Sequence, residues 1–317
     1  MMKATLMIWM AAAAMAVAGP YAPRAGVSGS TAIHKDDVRF VAWANGNLTP
    51  EYGTDVDAGW KTPAKAWGKA TTDVYDIVCL GNGGRITMFF PHAIRDGAGA
   101  DFAVFENGFS DNFLELAFVE VSSDGVNFFR FPTFSQTKNP DLKPEVKVPP
   151  PVGGFGSVDP TDIHGFAGKY KGGYGTPFDL SELPISPLLD KQRIRFVRIV
   201  DIVGDGFTKD SRGLPVYDPT PTIGSGGFDL DAIGVIHQND GEFPVVQAEV
   251  VAGEFQLAWV SNPGSRYQIE RSLTLNSEGW LPVGGVIAGS TVSGITSQPQ
   301  AIPGDSKCFW RVRRLAD

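Results

Sequence analysis

The chain has 317 residues, a formal charge of −8 and only 20% charged side chains, with 38 Gly and 23 Pro. Gly and Pro together make up about a fifth of it, against about 12% in ordinary proteins, which points away from helical bundles and coiled coils and toward turn-rich β structure. At 43% hydrophobic and 11% aromatic the chain can bury a core, which excludes wholesale disorder. The acidic balance argues against nucleic acid as a partner, because neutralising phosphates needs a basic surface.

Residues 1–18 read as a targeting segment. Lys3 supplies a positive n-region, residues 6–17 form an uncharged apolar run, and Ala16-Val17-Ala18 matches a small-x-small cleavage pattern. The run is short for a membrane-spanning helix, and Gly19-Pro20 closes it. No Cys follows the cleavage point, and Arg314-Leu315-Ala316-Asp317 ends the sequence without a hydrophobic tail. The expectation is an exported product without a transmembrane anchor, whether secreted, periplasmic or held at the cell surface. Residues 19–35 read as a linker. The two cysteines, Cys79 and Cys308, read as small hydrophobes rather than as a disulfide framework.

Strand signals then dominate. Residues 85–90 and 101–106 are short apolar runs bounded by Gly, Pro and Asn. Residues 116–121 form a third, closed by the hairpin-turn sequence Ser122-Ser123-Asp124-Gly125, after which residues 126–131 return. Between Phe134 and Leu189 the pattern breaks at Pro149-Pro150-Pro151, Gly153-Gly154 and Gly172-Gly173. Phe155, Phe166, Tyr170, Tyr174 and Phe178 make this long loop a packed excursion over one rim. One short helical turn is expected at Ser181-Glu182-Leu183. Residues 193–203 alternate as a half-buried strand, residues 204–227 form a second long loop carrying Asp205, Asp210 and Asp218, and residues 228–236 form the last strand of the block. A domain boundary is expected at residues 239–244. Alternating segments at 255–260, 267–271 and 309–312 then fit a small sandwich of the fibronectin or immunoglobulin kind over residues 245–317.

Three of these segments resemble the jelly rolls of discoidin domains and carbohydrate-binding modules, the galactose-binding-like fold. The hairpin Phe118-Val119-Glu120-Val121-Ser122-Ser123-Asp124-Gly125-Val126-Asn127-Phe128 is similar to their strand, Ser-Asp-Gly turn and aromatic; Arg195-Phe196-Val197-Arg198-Ile199 and Phe228-Asp229-Leu230-Asp231-Ala232-Ile233 are similar to two further strands. Residues 80–108 and 168–180, with Gly99 to Asn107 matching a Gly-Ala-Asp-Phe-x-Val-Phe-Glu-Asn segment, resemble bacterial cell-surface proteins of uncharacterised function. The resemblance implies an all-β protein, a jelly-roll sandwich over residues 36–240 followed by a small accessory module, and brings no established reaction. A sorting motif with a membrane segment often ends such proteins and is missing here.

Among residues that could carry chemistry, His34, His92, His164 and His237 show no zinc-site spacing. There is no Gly-x-Ser-x-Gly elbow, and Gly81-Asn82-Gly83-Gly84 lacks the Lys and helix of a phosphate loop, so it reads as a turn. Glu106, Asn107, Asp201, Asp205, Asp229 and Asp231 fall at or near strand ends. Asp229 and Asp231 are two apart and should share a face. Three readings stay open for these acids: oxygen ligands of a structural Ca²⁺, a solvated face with Arg195 or Arg198 as cross-strand partners, or paired glycosidase carboxylates. Trp60, Trp67, Phe166, Tyr170 and Tyr174 lie in segments read as loops and are candidate sugar-binding rings. The leading expectation is therefore a non-catalytic exported module that binds an extracellular or cell-surface glycan, with Ca²⁺ as a structural cofactor. The alternatives are an exported metal-binding or scavenging protein using His164 or His92, and a hydrolase using Glu106 with an Asp of the 204–227 loop.

Overall fold

The computed structural model describes residues 18–137, 152–239, 246–251, 254–261, 265–274, 279–289, 294–300 and 308–315. Most of the expected targeting segment, the run Pro149-Pro150-Pro151 and most of the expected domain boundary lie outside the described residues.

The protein is an all-β sandwich, and every pairing between its strands is antiparallel. One sheet of the first block runs in the order Ile33–His34, Tyr174–Phe178, Phe102–Glu106, Asp229–Val235, Ala42–Trp43, with Val78–Cys79 also on Asp229–Val235. The other runs Arg85–Ile94, Ile194–Asp201, Ala117–Ser122, Phe129–Arg130. Alternation drives their packing. Ile86, Met88 and Phe90 point inward from one strand, as do Val119 and Val121, and Val197 and Ile199, from its neighbours. They meet Phe102, Val104, Phe178, Leu230, Ile233 and Val235 of the facing sheet in one core.

Both outer faces are covered as well. Leu114, Leu116, Phe118, Val158, Ile163, Phe166, Ile202 and Val216 form a second cluster outside one sheet. Ile33, Ala70, Ala103, Phe105, Ala232 and Ile236 form a third outside the other. Hence Phe102–Glu106, Ala117–Ser122 and Asp229–Val235 are buried along their whole length, and their sequences read as near-continuous apolar runs.

Two segments differ from the sequence expectation. The long loop contributes Tyr174–Phe178 to the sheet, beside Phe102–Glu106, rather than only crossing a rim. Pro177 hid it, since a proline demotes a strand. It is tolerated because Ile33–His34 pairs only with Tyr174 and Gly175, so at Pro177 the strand has one neighbour and no second ladder to supply. The 204–227 loop contains a hairpin of Asp205–Lys209 with Pro215–Tyr217. The expected helical turn is the 3₁₀ segment Leu180–Glu182, capped by Asp179.

The turn read at Ser122-Ser123-Asp124-Gly125 joins Ala117–Ser122 to Phe129–Arg130, pairing Glu120 with Arg130 and Val121 with Phe129. Asp124 accepts the Val126 and Asn127 amides, and this bonding holds its carboxyl well below the usual range. The last segments form two three-stranded sheets, Val246–Val251 with Glu254–Ser261 and Gly294–Gln300, and Leu281–Ala288 with Arg266–Ser272 and Phe309–Leu315. Leu257, Trp259, Tyr267, Ile269 and Val312 make their core. Cys79 and Cys308 are both free thiols. No helix among the described residues is long and apolar enough to cross a membrane.

Candidate functional site

The pairing registers bring acids from both sheets to one end of the sandwich. Leu230 pairs with Glu106 and Asp201 with Ala117, so the end of Phe102–Glu106, the start of Asp229–Val235 and the end of Ile194–Asp201 lie together. Asp201 joins the sheets: its carboxylate accepts the Phe228 amide and the Gly83 amide, each at 2.7 Å. Asp218 follows the hairpin and accepts the Leu116 amide at 2.9 Å. Glu106, fully buried, accepts the Gly108 amide at 2.8 Å. Asp231 takes the Thr71 amide with both oxygens. Two glycines are required here. A Cβ at Gly204, where φ is +73°, would overlap the Asp218 carboxylate, and one at Gly108 would press on Glu106 Oε2.

Six carboxyls are thus buried in a row: Glu106, Glu115, Asp201, Asp218, Asp229 and Asp231. No Lys or Arg pairs with any of them among the described residues. Burial pushes every one upward, and neighbouring carboxyls add to the effect for all but Asp229. Glu106 and Asp218 move well above the usual range; Glu115 reaches about 9, Asp201 and Asp231 about 7, and Asp229 about 6.

Asn107, Glu115 and Asp229 line a cavity of about 500 Å³ at this end. Its walls carry five aromatic rings: Trp60, Tyr75, Phe109, Phe113 and Phe155. Trp60 stacks on Tyr75 with ring centroids 6.1 Å apart; Phe109 stacks on Phe113 at 4.6 Å, and Phe155 lies 6.4 Å from Phe113. Tyr75, Phe109 and Phe155 remain 66%, 67% and 91% exposed, an arrangement that burial cannot account for.

Of the five candidate rings, only Trp60 joins this wall. Phe166 and Tyr170 are buried, Phe166 in the second cluster and Tyr170 with its hydroxyl on Thr31, so neither offers a face to a ligand. Tyr174 lies in a strand, edge-on to His34, and Trp67 is exposed elsewhere, donating to Asn47. Phe155, expected to pack the long loop down, is exposed instead.

Of the candidate metal residues, Asn107 and Asp229 line the cavity, while Glu106, Asp201 and Asp231 are buried behind it. Asp205 sits on the hairpin, where its carboxylate accepts the Phe207 amide. The solvated-face reading fails for Asp229 and Asp231, both buried, and the arginines go elsewhere: Arg198 to Glu120 and Arg195 to the Pro91 carbonyl. Fully buried, Glu106 cannot reach a substrate, so the hydrolase reading loses its expected acid.

His164 lies against Tyr21 and Phe134, which also stack on each other, and burial lowers its pKa; His92 lies 3.3 Å from Arg314 Nη1. Neither joins a group of three ligand atoms within 4.8 Å; among the described residues that group is Asp96, Asp101 and Asp179.

Sequence reasoning passed over Glu115 and four of the five wall rings. The signals were present. Glu115 is a lone acid between the buried Leu114 and Leu116, Phe109 and Phe113 flank the polar Ser110-Asp111-Asn112, and Phe155 is set between glycines. No known family model matches the chain, and no curated protein matches it in sequence.

Proposed function

We propose that the chain is an exported, non-catalytic glycan-binding protein whose ligand sits in the ring-walled cavity. The observation that carries this reading is the combination of exposed aromatic walls with a carboxylic floor of Glu115 and Asp229 beside the Asn107 amide. Sugar rings present apolar C–H faces that stack on aromatic side chains, while their hydroxyls need convergent polar groups. The floor also favours a ligand class. Among the described residues no basic side chain lines the cavity to pair with a uronic, sialic or sulfated group, and the floor oxygens accept hydroxyl or amino hydrogens, so neutral and amino sugars fit best.

The test is a glycan array followed by calorimetry on the best ligand, comparing wild type with Trp60→Ala and Tyr75→Ala. Each substitution is expected to weaken binding about tenfold, equivalent to about 1.4 kcal/mol, and the ligand should be recovered uncut. No binding across neutral and amino glycans, or binding unchanged in both variants, would overturn the reading.

A further inference from the structure

The floor of the cavity holds three oxygen donors that the protein itself leaves without hydrogens. Asp229 is 7% exposed; its Oδ2 accepts from Asn107 Nδ2 at 3.0 Å, but its Oδ1 is buried with no hydrogen-bond partner. The Cys79 thiol beside it is directed to the Gly226 carbonyl at 2.9 Å. Asn107 Nδ2 spends its two hydrogens on the Val74 carbonyl, at 2.9 Å, and on Asp229, which leaves Oδ1 as its open acceptor. Glu115, 7% exposed, receives no hydrogen bond and no ion pair among the described residues, and it lines the same cavity. An orphaned acceptor at this depth is costly unless something outside the chain satisfies it.

We propose that Asp229, Glu115 and Asn107 form a calcium site at the cavity floor. This goes beyond glycan binding and stands without it. The donor set is all oxygen, two carboxylates and an amide, which selects a hard cation; no histidine lines the cavity. Three protein oxygens leave several of the six to eight positions of Ca²⁺ to water or to an incoming ligand, a demand that Ca²⁺ meets flexibly and the smaller, strictly octahedral Mg²⁺ does not. The tighter group of Asp96, Asp101 and Asp179 carries no such argument. The Asp101 carboxylate is already shared among the Gly97 amide, the Leu180 amide and His237 Nδ1.

Terbium substitutes for calcium and emits when a neighbouring indole or phenol passes it energy, so Trp60 and Tyr75 are built-in reporters. Terbium titration of the exported chain should give saturable sensitised emission that CaCl₂ reverses and equimolar MgCl₂ does not. Calorimetry with CaCl₂ should give one site per chain. Asp229→Asn and Glu115→Gln, which keep side-chain size, should each lower affinity at least tenfold, whereas Asp231→Asn should not, because that carboxylate is already held by Thr71. Trp60→Phe should lose most emission excited at the indole band while retaining calcium binding, which locates the ion whether or not the ligand variants fold. Absence of saturable calcium binding to the wild type would overturn the proposal, as would full affinity in both ligand variants, or undiminished indole-sensitised emission in Trp60→Phe.

Discussion

Glu106 shows how a single side chain is held at the closed end of the acid row. Its carboxyl is fully buried against other carboxyls, which pushes it well above the usual range and toward the protonated form, and its one protein partner among the described residues is the Gly108 amide. Glu106→Gln keeps the acceptor and the volume and replaces a hydroxyl by an amide. It is expected to change stability at pH 7 by less than about 1 kcal/mol, whereas Glu106→Ala, which leaves a cavity and an orphaned amide, should cost about 2–4 kcal/mol in urea unfolding. A large loss in Glu106→Gln would mean that the residue is ionised in the fold. Glu106, Asp201 and Asp229 stand at strand ends as their sequence context implies, because strand ends follow from alternation and turn residues, and Asp231 lies two residues inside. Glu115 stayed hidden because it precedes its strand, and its depth depends on Leu114 and Leu116 packing into a cluster outside the sheet.

At the scale of the elements, the hairpin Ala117–Ser122 to Phe129–Arg130 is pinned by one acid. Glu120 receives Arg130 Nε at 2.9 Å and Arg198 Nε at 2.6 Å, from strands on either side of its own. The two guanidiniums lie over Phe118 and Phe128, at 3.9 and 3.7 Å from the ring centroids. Glu120→Ala would leave two cations side by side with no anion between them. Both arginines keep some contact with water, so the expected loss is about 1–3 kcal/mol in chemical unfolding, with Glu120→Gln recovering part of it. A neutral Glu120→Ala would show that solvent already screens the pair. This hairpin was legible because its turn chemistry is local. Tyr174–Phe178 was not, because a Pro-containing strand becomes a strand only through a partner some seventy residues away in the chain.

For the whole molecule, the acid row sets how stability varies with pH. Asp201, Asp231 and Glu115 titrate at about 7, 7 and 9 in the fold and near 4 in the unfolded chain, so from about pH 4 upward the folded state holds more protons than the unfolded one. Their contribution is fully present at acid pH and is lost as pH rises through these values. Lys169, whose burial lowers it to about 8, works the other way only above that point. In chelator-treated buffer the melting temperature is therefore expected to fall by at least about 5 °C between pH 5 and pH 8. A flat or rising curve in differential scanning calorimetry would mean that the row is ionised and compensated.

The double coverage of the central strands has a consequence for the movement of backbone hydrogens. Phe102–Glu106 and Asp229–Val235 pair with each other and with further strands on their other sides, and side chains close over both faces. Fraying from one edge would have to strip Ile33–His34 and then Tyr174–Phe178 before it reached them, and from the other edge Ala42–Trp43 and Val78–Cys79. Their amides therefore meet solvent deuterium only when the sandwich comes apart as a unit, which makes these two strands the slowest-exchanging clock in the chain and a direct reading of its global opening.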